Sequence, residues 1–354
     1  MNYFKKHMFD KYRLDKNFGK PPKDEVTPEE EAAANVNEDE LFGFAEFDEK
    51  KSEIIASPRY SYWKSVWKAF ISSKFTIAVS VLVIFVVAFS FIYSAFSNFN
   101  PMKPANALNY EVHNLTPSWE HLFGTDGEGN EVFDVVWSGA RNSLIVSLIS
   151  TAIDMIIGII VGAIWGFSKK MDKWMIEVYN VISNVPFLLI AMILSYYLRG
   201  KFNFFGVNTP FGEAFAAFAP LIFTMTITEW VFVAYFIRTQ VMIIRDREYN
   251  LASKCLGTST WTMITKNILP YLVSVIMTYI SRQVPALISY EVFLSYLGLG
   301  LDESHASLGR MISQNVGRYP HMFWIPVAIL AVISISLYIV GQKLADAADP
   351  RTHR

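Results

Sequence analysis

One cysteine, Cys255, in 354 residues rules out an intramolecular disulfide and any Cys-based metal cluster. Charge is nearly as scarce. Asp, Glu, Lys and Arg make up 18% of the chain; the first 50 residues hold 13 acidic and 8 basic side chains, which leaves 42 on the other 304. Soluble domains carry about 25% charged residues, so this balance argues against a soluble enzyme. Three patterns are also missing: the phosphate cradle G-x-x-x-x-G-K-[ST], the zinc motif H-E-x-x-H and the nucleophile elbow G-x-S-x-G. The chain is therefore expected to be no enzyme and to hold no cofactor or metal of its own. Its opening, MNYFKKHMFDKYRLDK, has basic residues but no apolar run behind them, so no cleavable signal peptide is expected.

What the chain does have is apolar: 52% of it is hydrophobic, too much for a disordered protein. The acids gather at the start, where Asp24 to Glu49 holds eleven and no base. Residues 1–50 read as an acidic, solvated cytoplasmic extension. From 51 to 74 the character reverses, with Lys51, Arg59, Lys64, Lys68 and Lys74 among Tyr60, Tyr62, Trp63 and Trp67. That mixture suits a segment lying at a membrane interface. Phe75 to Phe96 follows with no charge in 22 residues, enough to cross a bilayer core of about 30 Å. Five further apolar stretches, 143–167, 178–198, 214–237, 271–292 and 323–341, predict an all-α polytopic membrane protein of six spans over residues 75–342, ending in a cytoplasmic tail from 343 to 354.

Lys and Arg in the connecting segments alternate high and low, from five in 51–74 to two (Lys103, Arg141), three (Lys169, Lys170, Lys173), two (Arg199, Lys201), five, two and three. Positive charge accumulates on the cytoplasmic side, so both termini are expected inside. The external loops 97–142 and 293–322 are too long for simple connectors. All six histidines fall outside these spans, which leaves no intramembrane histidine relay.

Gly158, Gly162 and Gly166 fall at i, i+4 and i+8 and predict a packing stripe. Asp154, Glu229 and Arg282 lie within spans, where a charge needs water or a partner. They are candidates to line a translocation path, or to hold the bundle together through a pair such as Asp154 with Arg282. The cytoplasmic segment 245–267 reads as helix, glycine, helix. Asp246 is placed to cap a helix carrying Glu248, Leu251, Ala252, Cys255 and Leu256, and Gly257 to end it in the left-handed region. Thr258 or Ser259 can cap a second helix bearing Trp261, Ile264 and Ile268, with Pro270 marking the next span. Such an element is suited to docking on a cytoplasmic partner, or alternatively to lying on lipid.

The run from Glu248 through Ala252 to Gly257, followed by Leu269-Pro270, resembles the EAA signature of ABC-importer permeases. His121-Leu-Phe-Gly124-Thr125-Asp126 with Gly139, Arg141 and Leu144 is similar to the external-loop motif of the dipeptide/oligopeptide/nickel permeases. Glu291 to Gly300 and Asp346 to Arg351 resemble later signatures of that family's second, six-span permease, the oligopeptide permease C type. The resemblance spans about residues 57–351. It implies a type I importer bundle of the kind seen in the methionine permease, with 245–267 as its coupling helix and Glu248, Leu251, Ala252, Cys255, Leu256, Gly257 and Pro270 as the coupling residues. It also implies a homologous second permease, two cytoplasmic ATP-binding subunits that hold ATP and Mg, an external peptide-binding protein and a bacterial plasma membrane. No nucleic-acid partner is expected. The expected function is import of oligopeptides or dipeptides by alternating access. Two alternatives remain at this point. A nickel or other small-solute permease is disfavoured by the lack of a His, Cys or carboxylate cluster in the spans. An ion-coupled secondary transporter would use Asp154 and Glu229, but the docking loop has no role there.

Overall fold

The computed structural model describes residues 61–349, apart from 104, 105, 107, 199, 200 and 202–208. The acidic extension 1–50, the first part of the interfacial segment and residues 350–354 lie outside the described residues. Among the described residues the chain is helical, and its one β contact is an isolated bridge between Thr125 and Glu131.

The interfacial segment folds as the amphipathic helix α1, Tyr62–Ile71. Val66 is buried against Ala347 and Ala348, and the Tyr62 hydroxyl donates to the Ala348 carbonyl at 2.6 Å, while Trp63 and Trp67 stay exposed. Ser73 then caps α2, Lys74–Phe96, by accepting from the Thr76 amide, so the first span starts where its charge-free run predicts.

The second span departs from expectation. Helix α3 runs from Val132 to Phe167, 36 residues, starting well before residue 143. Asp134 and Arg141 mask this on hydropathy. Asp134 lies in the first turn, where the dipole favours an acid, and it accepts hydrogen bonds from Tyr93 and Ser97. Rings of Phe89 and Trp137, 4.6 Å between centroids, and of Tyr93 and Phe133, 5.1 Å, bind α2 to this turn. Gly139 and Arg141 therefore sit on a helix rather than in a loop. At Gly139 a Cβ would lie 3.0 Å from Leu308, and Arg141 orients Asn142, whose amide donates to the Ala306 carbonyl at 2.8 Å.

The predicted third span, 178–198, is two helices: α4, Lys169–Asn184, and α5, Phe187–Leu198, bent by 86°. Pro186 disfavours helical backbone in the residue before it, and Val185 is extended at φ −86 and ψ 123. Among the described residues five helices are long and apolar enough to cross a membrane, or six if this bent pair is one span. Helix α6 extends from Pro210 to Arg245, beyond the predicted 214–237 at both ends, with Thr209 as its cap.

After α6 come α7, Glu248–Cys255, a helical turn at Thr260–Thr262, a π-helical stretch at Met263–Ile268 and α8, Leu269–Tyr296. The second helix predicted in 245–267 is thus continuous with the fifth span. The π turn falls just before Pro270, which has no N–H to give an ordinary helical bond. Within the predicted external loop 293–322 lies α9, Leu308–Asn315. Helix α10, Pro320–Ala348, outruns 323–341 and takes in much of the expected tail, and it places His321 in its first turn rather than in a loop.

Helices α3 and α6 make the most extensive contact. A Cβ on Gly158 would lie 2.4 Å from Val233, one on Gly162 2.4 Å from the Ala234 carbonyl, and one on Gly166 2.7 Å from Val241. At the end of this pair nearest α4, Asp172 of α4 accepts from Trp165 Nε1 at 2.7 Å and from Arg238 Nε and NH2 at 2.6 and 3.0 Å. The guanidinium lies against the rings of Trp165 and Tyr235. Asp172→Ala would leave that cation in place without its fork-shaped partner. We expect a loss of about 2–3 kcal/mol, read as a melting temperature lower by several degrees in the solubilised protein.

In the loop between α2 and α3, Gly124 takes φ +80 and Thr125 is buried, accepting from the Leu115 amide at 2.9 Å. Asp126 closes the turn by accepting from the amides of Glu128 and Asn130, both at 2.8 Å. In the segment between α8 and α9, the His305 ring packs edge-on against Phe218. Burial pushes its pKa below the ordinary 6.5, with Arg141 and Arg310 acting the same way and Asp302 and Glu213 opposing. The folded state favours the neutral ring, so the unfolded chain takes up the proton first on acidification. This contribution is full above pH ~6.5 and is lost as pH falls towards the lower folded value. His305→Gln should flatten the fall in melting temperature over that window.

Candidate functional site

The 245–267 element is held rigidly to the bundle. Asn250, buried, donates from its amide to the Ile244 carbonyl at 2.8 Å, and Arg245 donates to the Gly166 carbonyl at 2.6 Å. Ile264 and Ile268 are buried with Met155, Ile237 and Val241 and turn into the core. Asn267 reaches back to the Ser253 hydroxyl at 3.3 Å.

Its outer side is apolar and open. Leu251, Leu256 and Trp261 are 49%, 87% and 59% exposed, and Ala252 and Cys255 are exposed beside them. Glu248 sits in the first turn of α7 and Lys254 in the last, both favourable to the helix dipole. Asp246 does not cap α7. The cap position belongs to Arg247, and the Asp246 carboxylate pairs with Arg245, whose hydrogen bonds hold its pKa below the usual carboxylate range. Gly257 adopts φ +81, and a Cβ there would meet nothing within 4 Å. Ser259 rather than Thr258 caps the following turn, accepting from the Thr262 amide.

Of the three charged residues of the spans, Asp154 and Glu229 lie within electrostatic reach of each other with Gln283 beside both, whereas Arg282 pairs with neither. Asp154 is fully buried, and neither carboxylate oxygen has a hydrogen-bond partner among the described residues. Glu229, half-buried, accepts from the Gln283 amide at 3.4 Å. Arg282 is exposed on the outside of α8, so no Asp154–Arg282 pair forms. A fourth span residue escaped the sequence reading: Glu291, fully buried, accepts from the hydroxyls of Ser143 and Ser295. Its signal was available, since a glutamate stands one position inside the predicted end of the fifth span. Among the described residues no group of three or more His, Cys, Asp or Glu side chains could hold a metal ion.

Residues 154–354 match the profile of a family described as "Binding-protein-dependent transport system inner membrane component". An oligopeptide transport system permease protein, AmiD, of Streptococcus pneumoniae is 47% identical over 318 residues, covering 89% of this chain and 98% of that protein. The dipeptide transport system permease protein DppC of Bacillus subtilis is 31% identical over 339 residues, covering 94% and 98%. Among solved structures, an inward-facing form of the MetNI methionine ABC transporter superposes with a TM-score of 0.51 at 14% identity, covering 60% of this chain and 96% of that one, a likeness of fold. A multi-pass helical bundle, a rigidly held helix–glycine–helix on one end and these matches lead to one assignment: the chain belongs to the binding-protein-dependent transport system inner membrane component family.

Proposed function

We propose that this chain is a permease subunit of an ABC importer that carries oligopeptides or dipeptides into a bacterial cell by alternating access. The observation that carries this reading is 47% identity to an oligopeptide permease across nearly the whole of both chains. A second permease completes the path, an external binding protein delivers the peptide, and two cytoplasmic subunits hold and hydrolyse ATP with Mg. The 245–267 element docks on one of them, with Leu251, Cys255 and Leu256 as apolar anchors, Ala252 allowing close approach and Glu248 towards a basic group. Pro270 starts the helix that carries this contact to the spans. Glu229 and Arg282 border the path. Asp154, being wholly internal, supports the helices beside it. The test is uptake of labelled peptides of several lengths in cells with and without this gene. Uptake lost with the gene and restored by it supports the reading, and unchanged uptake of every peptide refutes it.

This reading puts both termini in the cytoplasm. Cysteines placed at Asn106 and Ser304 should then react with an impermeant maleimide in intact cells, while one at Lys170 should not. Labelling at Lys170 instead would invert the topology.

A further inference from the structure

Arg282 lies 13 residues from Leu269 and 14 from Tyr296, near the middle of α8. At about 1.5 Å per residue its charge is about 20 Å from either end, further than an arginine side chain extends to reach an interface. Its neighbours Ser281, Gln283 and Val284 are buried, yet Arg282 is exposed and has no ion pair among the described residues. A guanidinium turned outward at this depth is costly against lipid and needs water or an anion.

A groove lies beyond it. Ser289, two turns on and on the same side of the helix, is exposed, and with Phe293 and Tyr296 it forms a groove of about 470 Å³ against Leu330, Ala331 and Ser334 of α10. That volume is in the ordinary range for small-molecule sites, and the lining is apolar with a few hydroxyls. Pro285, within α8, has no N–H for the carbonyl four residues back, which frees a backbone acceptor at Ser281 one position from the guanidinium. Tyr279 lies one turn before Arg282, and Gln283 links this stretch to Glu229.

We infer that Arg282 binds the C-terminal carboxylate of the peptide as it passes, while the groove beyond takes its last side chains. The inference rests on the peptide reading above. A carboxylate is the one anionic group that every linear peptide offers whatever its sequence, and the planar guanidinium matches it with two parallel hydrogen bonds, a fit that lysine cannot make.

The test uses the assembled importer in membrane vesicles. For a neutral peptide with a free C-terminus, Arg282→Gln should reduce uptake at least tenfold with the amount of assembled complex unchanged, and Arg282→Lys should fall between it and the parent. Arg282→Cys, with the parent carrying Cys255 treated in parallel as the background, should recover uptake after reaction with aminoethyl methanethiosulfonate, which restores a cation. The anionic sulfonatoethyl reagent should not restore it. Loss of assembly in Arg282→Gln would instead make Arg282 a contact to the second permease. An unreactive thiol, or equal recovery with both reagents, would also overturn the inference. If the parent vesicles take up no peptide at all, it is the peptide reading that fails, whereas normal parent uptake with no effect of Arg282→Gln sinks this inference alone.

Discussion

Gly162→Leu is expected to leave little correctly folded subunit. A Cβ alone at this position would stand 2.4 Å from the Ala234 carbonyl oxygen and 2.8 Å from the Ile237 Cβ. The first obstacle is backbone, which cannot swing aside as a side-chain end would. Three further carbons must then displace α6 from α3, the most intimate helix pair of the fold. Overpacking in a well-filled interior ordinarily costs about 1–3 kcal/mol, and a blocked backbone approach puts this case at the upper end or beyond it. The same shift would open the packing of Ile237 and Val241 on Ile264 and Ile268, which ties the 245–267 element to the bundle. Yield of folded subunit and melting temperature in detergent are the readouts, with Gly162→Ala expected between the two. A parental melting temperature in Gly162→Leu would mean that the α3–α6 contact is far looser than described.

Gly257→Val should do the reverse, sparing the fold and removing the function. Because a Cβ at Gly257 meets nothing within 4 Å, no steric collision accompanies the change. The cost is that of φ +81 itself, which a β-branched residue avoids at about 1–3 kcal/mol. An exposed turn escapes such strain by changing φ, and the chain between Cys255 and Ser259 would then leave α7 in a new direction. Leu256, at 87% exposure the most open large apolar side chain of the element, would point elsewhere. The variant should insert normally, with peptide uptake reduced at least tenfold and its stimulation of ATP hydrolysis reduced with it. Gly257→Ala should be milder. Normal transport by Gly257→Val would mean that the loop merely joins two helices.

Much of this was legible in the residues. Each long apolar run falls within one helix or, at 178–198, within a bent pair, because bilayer thickness demands such length, but the helices run beyond most of the runs. The four-residue spacing of Gly158, Gly162 and Gly166 indicated a close helix contact, and the isolated Gly257 between two capped segments indicated a left-handed turn. What hydropathy could not reveal came from pairing across the sequence. Asp134 and Arg141 looked like loop residues because their partners Tyr93, Ser97 and Asn142 act only once the chain is folded. The same holds for Asp172 with Trp165 and Arg238, and for Asn250, whose buried amide holds α7 against the end of α6. The 86° bend at Pro186 was signalled by a proline, but its size depends on what the two helices pack against. Arg282 illustrates the limit most plainly: its depth followed from the sequence, its outward direction did not.

The coupling claim can be tested through the chain's own chemistry, because its single cysteine, Cys255, is exposed in the last turn of α7. A benzophenone maleimide attached to Cys255 before the ATP-binding subunits are added should, on irradiation of the reassembled importer, form its main adduct with one of them. The yield should differ between nucleotide-free and ATP-bound complexes. Adducts confined to lipid or to the permease itself, in every nucleotide state, would contradict the docking of this element on the ATPase.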